Sequence, residues 1–185
     1  MSFKKIASIV LAAVLSTAVF TGCSFTSDNS AQTGYANEDG YAEGHFGDTM
    51  HTYFFDYTVN SAYTCSSYED YTPADGNTLL VAEVTVKNTH NTSIEMYDSD
   101  FQVQWTDDAD DAYDYPITVN FESGQTIGEN MLPDVYPLAI NESRTGILVY
   151  EVPSDEKDFS ISYMEYFDDD STGNVFFVYF SASNK

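Results

Sequence analysis

The sequence predicts an all-β protein folded as an antiparallel β-sandwich. Three observations carry this. Apolar and polar residues alternate with a period of two in several short segments, most clearly in Thr78–Asn88. The segments recur at short spacing and are separated by turn formers such as Asp75-Gly76-Asn77 and Asn88-Thr89-His90-Asn91. After residue 22, no apolar pattern with a 3.6-residue period is sustained.

The chain begins with an address. Lys4 and Lys5 precede an apolar run, Ile6–Phe20, diluted by Ser8, Ser16 and Thr17. Such a run is short for a spanning helix and reads as a signal peptide. It closes in Phe20-Thr21-Gly22-Cys23, which resembles the end of a bacterial lipoprotein signal, with Phe20 where Leu is usual. The resemblance implies that residues 1–22 are removed and that Cys23 becomes a lipidated N-terminus, membrane-anchored on the extracellular face. Each buried CH₂ of an acyl chain supplies roughly 0.8 kcal/mol, so two or three chains hold a protein firmly on a bilayer. The alternative is an ordinary secretory signal cut elsewhere. Residues 23–47 then read as the lipidated cysteine and a flexible acidic tether, rich in Ser, Asn, Gly, Asp and Glu.

Residues 48–185 read as the sandwich. Met50–Ala62 is the first strand region, with Phe55, Tyr57 and Val59 alternating against Asp56, Thr58 and Asn60; Tyr63–Asn77 is a loop. In Thr78–Asn88 one face carries Leu80, Ala82, Val84 and Val86. The other starts with Leu79 and Val81 and ends with Glu83, Thr85 and Lys87, so the strand is expected to be covered on both sides at its start. Ile94–Tyr97 is a short strand. Phe101, Val103 and Trp105 alternate with Gln102 and Gln104, and Trp105, the single Trp, is expected to anchor the core. Ile117–Phe121 is a weak strand and Arg144–Val152 a strong one. Phe159–Phe167 and Asn174–Ser181 form a hairpin across Asp168–Gly173, with apolar or aromatic residues on both faces. One face packs the core; the other is either covered by a neighbouring element or exposed as a binding patch.

Charge excludes some partners. The 185 residues hold 30 Asp and Glu against six Lys and Arg, a formal −24, and two of the six, Lys4 and Lys5, lie in the leader. Nucleic acid needs a basic surface, so it is excluded as a partner. Cys23 and Cys65 are the only cysteines; with Cys23 lipidated, Cys65 has no intrachain partner and is expected to be an inert thiol.

The loop Thr106–Pro116 concentrates Asp107, Asp108, Asp110, Asp111 and Asp114. Clustered carboxylates repel one another, and calcium, a hard cation with oxygen ligands, would relieve that repulsion. The loop lacks the Gly and terminal Glu of an EF-hand, so the competing reading is a solvated acidic loop without a cofactor. Asp168-Asp169-Asp170 reads as a hairpin turn. No GxSxG, HExxH, P-loop or GxGxxG is present, and His45, His51 and His90 fall in predicted tether, strand start and turn. The chain is therefore expected not to be an enzyme.

Several pieces together resemble a known family. These are Gly47-Asp48 before Thr58-Val59-Asn60-Ser61-Ala62, Gly76-Asn77 with Leu79–Asn88, Asp100-Phe101-Gln102-Val103, and Ser143–Pro153 with Gly146-Ile147-Leu148-Val149-Tyr150-Glu151-Val152-Pro153. In this order they are similar to a family of bacterial extracellular immunoglobulin-like domains of unknown function, common on lipoproteins of Gram-positive bacteria. The resemblance implies an immunoglobulin-like sandwich and a surface-anchored, non-catalytic domain that binds a protein or an envelope component. A calcium-stabilised or cell-wall-glycan-binding module is the alternative.

Overall fold

In the computed structural model, which describes residues 32–105, 112–120 and 124–185, two sheets pack face to face. Sheet A contains β1 (Tyr41–His45), β11 (Thr172–Ser181), β10 (Asp158–Tyr166), β6 (Gln102–Trp105) and β7 (Tyr113–Asp114), in that order. Sheet B runs β12 (Ser183–Asn184), β3 (Phe55–Cys65), β4 (Asn77–Asn88), β9 (Ser143–Pro153), with β2 (Thr49–His51) also on β3. A ribbon of β5 (Ile94–Tyr97) and β8 (Val135–Leu138) is separate from both. Among the described residues, all pairings between these strands are antiparallel except β1 with β11 and β12 with β3. The expected all-β sandwich is therefore what the chain forms.

Alternation sets the core. Leu80, Ala82, Val84 and Val86 of β4 are fully buried and meet Val103, Ile161, Phe176 and Val178 of sheet A in one cluster. Large side chains close the middle: Tyr57 donates to the Phe176 carbonyl (3.2 Å) and Tyr150 to the Phe101 carbonyl (3.4 Å), so two buried hydroxyls are satisfied. Trp105 is not the central anchor; it lies half-buried at the core's edge, and Tyr57, Phe101 and Tyr150 hold the centre.

The start of β4 is covered on both sides, as its pattern requires. Leu79 and Val81 enter a second cluster on the outer side of sheet B with Val149 and Ile127. A bulge at Asn60 feeds this cluster. Phe55, Tyr57 and Val59 face the main core, but beyond the extra residue the phase flips, and Tyr63 and Cys65 pack on the outside.

Three expectations are corrected. Residues 41–45, placed in the tether, form β1 of sheet A. Its inward residues are Ala42 and Gly44, too small to mark a buried strand in the sequence. Met50–Ala62 is not one strand but a hairpin of β2 and β3, because Thr52 Oγ1 accepts from the N–H of Phe54 (3.2 Å) and Phe55 (3.1 Å) and donates to the Phe55 carbonyl (2.7 Å). The described residues of Ile117–Phe121 form no ladder; they contribute the isolated bridge Val119–Thr126, while Ile117 N–H donates to the Val149 carbonyl (2.7 Å) at the edge of β9.

Candidate functional site

The outer face of sheet A emerges from strand register. Because Phe159, Ile161 and Tyr163 face the core, Ser160, Ser162 and Met164 face outward. Ser160 lies between Tyr179 of β11 and Gln104 of β6; Ser162 lies between Phe177 and Gln102. Tyr41, Glu43 and His45 of β1 flank β11 on the far side, and Tyr113 of β7 flanks Gln104.

Exposure is uneven across this face. The two serines, 5% and 4% exposed, are buried along β10, and Phe177 on β11 is 8% exposed, its ring stacked on that of Tyr179 at 5.8 Å and 14°. On β6, Gln104 Nε2 donates to Gln102 Oε1 (3.1 Å), aligning the two amides along the strand. Ser162 Oγ donates to the Gln102 carbonyl (3.3 Å). β11 and β6 stand two ladder steps apart, about 10 Å. Tyr179, 40% exposed, and Tyr41, 42% exposed, present rings to solvent. Burial, and then the nearby Glu43 charge, push the Tyr179 hydroxyl above the usual phenol range. At the other end Tyr113 and Tyr115 meet edge to face at 6.1 Å, and Tyr166 is close enough to affect Tyr115 electrostatically.

In a chain of formal charge −24, the described residues at the centre of this face are neutral: Ser160, Ser162, Gln102, Gln104, Phe177 and the Tyr179 phenol. Asp158, opposite Ser181, follows at one end of the same face of β10. Glu43 and His45 stand on the bordering strand. Exclusion of charge together with aromatic enrichment is the compositional mark of a contact surface.

Two other regions hold polar chemistry. Beside the β5–β8 ribbon, Asp98 and Asp100 occupy a 3₁₀ turn. Asp98 accepts a very short hydrogen bond from Thr118, and Asp100 Oδ2 accepts from the Tyr97 N–H (2.8 Å). Burial pushes the Asp100 carboxyl from 3.8 to about 6, the Tyr97 N–H opposing this and the Asp98 charge adding to it. Tyr136 lies close by with its hydroxyl buried and without a hydrogen-bond partner among the described residues, and Arg144 stacks over its ring at 5.0 Å. At one tip of the sandwich, Tyr53, Phe54 and Phe167 form a packed aromatic cluster, with centroids 5.0–5.5 Å apart. Glu165, 2% exposed, holds that tip by accepting from the N–H groups of Tyr53 (2.7 Å) and Asn174 (2.9 Å).

The residues singled out in the sequence are dispersed. Cys23 and Asp107, Asp108, Asp110 and Asp111 lie outside the described residues. Asp114 is on β7, half-buried, its Oδ1 accepting from the Tyr115 N–H (2.8 Å); burial, then the Glu151 charge, raise its pKa. Among the described residues no three His, Cys, Asp or Glu side chains come together to hold a metal ion. His51 pairs with Asp56 (2.9 Å) and stacks on Tyr35, while His90 bonds Thr92 (3.0 Å). Asp169 caps the hairpin turn through Ser171. Cys65 ends β3, and burial raises its thiol pKa. Gln102 and Gln104 were legible as one face of a strand. Their partnership with Ser160 and Ser162 was not, because it depends on β6 lying beside β10.

The sequence profile of a family described as "Domain of unknown function (DUF4352)" matches residues 44–174. No curated protein sequence matches the chain at a significant level. Among solved structures the chain is similar to the yjhA protein of Bacillus subtilis, at 22% identity and a TM-score of 0.51, over 65% of this chain and 81% of that one. It is also similar to ycdA of Bacillus subtilis, a candidate lipoprotein, at 16% identity and a TM-score of 0.50, over 70% of this chain and 38% of that one. At these identities the likeness is one of fold.

Proposed function

Because the chain belongs to the DUF4352 family, a sandwich fold that it shares with a candidate lipoprotein, we propose that it is a non-catalytic surface protein, anchored by lipid on Cys23 to the outer side of the membrane. It captures a protein or an envelope component on the outer face of sheet A. The observation that carries this is the uncharged surface at Tyr179, Gln102 and Gln104, with the exposed Tyr41 ring on the bordering strand, in a chain of formal charge −24. Self-repulsion keeps such a chain soluble and discourages contact with anionic polymers. A neutral window in that field is where a partner loses least on desolvation.

The test has two parts. Cys23→Ser should move the protein from the membrane fraction to the medium. A photo-reactive residue at position 179 should then cross-link to an envelope component in intact cells, and one at Lys87, on the opposite sheet, should not. Cross-linking equal from both positions removes the face as the site.

A further inference from the structure

We propose that the end of the sandwich opposite the Tyr53 tip carries a second binding site, for a small zwitterion: a free amino acid or short peptide bearing both an ammonium and a carboxylate. It is independent of the outer face of sheet A. A recess, the uncommitted groups that line it and the charges around it carry the inference.

Both sheets end here. β3 finishes at Cys65, β4 begins at Asn77 and β9 finishes at Pro153, while the chain crosses from β11 of sheet A to β12 of sheet B at Ala182. Among these ends lies a recess of about 480 Å³, within the size range of small-molecule sites. Backbone hydrogen bonds tie its segments together. The Ser154 N–H donates to the Gly76 carbonyl (3.0 Å), the Ala182 N–H to the Lys157 carbonyl (2.9 Å) and the Lys185 N–H to the Thr64 carbonyl (3.0 Å). Segments distant in sequence are thereby fixed before a ligand arrives, which lowers the ordering cost of binding.

The lining is polar and accessible. Thr64, Thr72, Ser154 and Asn184 contribute side chains that hydrogen-bond to no described residue; Thr64 is half-buried and the other three are exposed. Asn77 and Thr78 are already committed, to the Glu151 carboxylate (2.8 Å) and the Cys65 carbonyl (2.8 Å). Among the described residues no aromatic ring lines the recess, and its apolar members, Pro73, Ala74 and Ala182, are small. An acyl chain or a flat ring would find little to bury against, and any hydroxyl it covered would lose water without replacement.

Charge chooses among polar ligands. Lys157 brings an ammonium from one turn and Asp75 a carboxylate from another, both exposed; half-buried Glu156 adds a second carboxylate. A simple anion would face two carboxylates and the field of a −24 chain. A simple cation would face Lys157. A zwitterion can set its carboxylate on Lys157 and its ammonium on Asp75, and its zero net charge spares it the long-range repulsion.

The recess also opens away from the stalk. The Gly34 carbonyl accepts from the His51 N–H (2.8 Å), and His51 pairs with Asp56 at the start of β3. Thr64 stands eight residues further along β3, at about 3.3 Å each, or about 26 Å away.

Isothermal titration calorimetry of the full-length chain in detergent would compare glycine, Ala-Ala, N-acetyl-Ala-Ala, Ala-Ala amide and glucose. Saturable binding of glycine or Ala-Ala is expected, with each blocked dipeptide weaker than Ala-Ala by about tenfold or more. Lys157→Ala should remove the preference for Ala-Ala over its amide, and Asp75→Asn the preference over the N-acetyl form. Lys87→Ala, at the other end of β4, should leave every affinity within about twofold. All three side chains are exposed, so the variants should melt as the wild type does. Binding of neither zwitterion overturns the proposal. So do equal affinities for free and blocked forms, tighter binding of glucose, or preferences that survive both Lys157→Ala and Asp75→Asn.

Discussion

Replacing Asp100 with Asn should stabilise the protein near neutrality and do nothing in acid. The carboxyl is held near pKa 6, against 3.8 ordinarily, chiefly because burial disfavours its charged form. Between those values the folded chain keeps a proton that the unfolded chain has already released. Stability therefore falls as pH rises from about 4 to about 6 and stays lowered above that. A gap of about two units corresponds to about 3 kcal/mol, and partial solvent access brings the expected figure to about 2 kcal/mol. Asn keeps an acceptor for the Tyr97 N–H and cannot ionise. Repulsion among the other acids changes with pH in both proteins, so it cancels in the difference. Urea unfolding of wild type and Asp100→Asn at about pH 3.5 and about pH 7.5 measures this. The curves should coincide in acid and separate by about 2 kcal/mol near neutrality. A difference that is constant with pH, or a variant less stable at the higher pH, would refute the account of Asp100 as a carboxylate destabilised by burial.

Glu165→Ala should cost about 3 kcal/mol, because two N–H groups, Tyr53's and Asn174's, lose their buried acceptor; chemical denaturation measures it, and amide exchange at Tyr53 should quicken well before global unfolding. Gly146→Ala should destabilise by about 1–3 kcal/mol, since a Cβ there would stand 2.9 Å from the Leu132 backbone nitrogen. Thermal melts check that loss, and a cost no greater than for Ala at an exposed strand position would show that the Leu132 segment is not clamped to β9.

The strands with a large apolar residue at every second position were legible: β4, β9 and the β10–β11 hairpin appear in the structure where the alternation put them. Leu79 and Val81 even announced their second layer, although not that Ile127 and Tyr63 would supply it. What escaped was β1, whose inward residues are Ala42 and Gly44, and the break at Thr52, which depends on one hydroxyl bonding three backbone groups. Trp105 misled because size alone does not assign depth; β6 ends there, so its ring sits at the rim. The candidate site was half legible. The alternation of Gln102 and Gln104 and the doubly aromatic hairpin were visible, but sheet order, which sets them on either side of β10, is a long-range property that local pattern does not contain.

Strand β1 lies parallel to β11, with Tyr41 opposite Val175 and His45 opposite Tyr179. If lipid on Cys23 holds the chain, as proposed, tension first meets Gly34, whose carbonyl accepts from the His51 N–H (2.8 Å), and Tyr35, stacked on the His51 ring; once that contact yields, it enters at the Tyr41 end of β1. A partner held at Tyr179 resists about 13 Å further along the same axis, four residues at about 3.3 Å each. The line of force then runs along the strands, so the five paired positions from Tyr41 to His45 are loaded in shear and must give way together. Had β1 run antiparallel, the stalk would have entered beside Tyr179, and the same pull would have peeled the strand off one rung at a time.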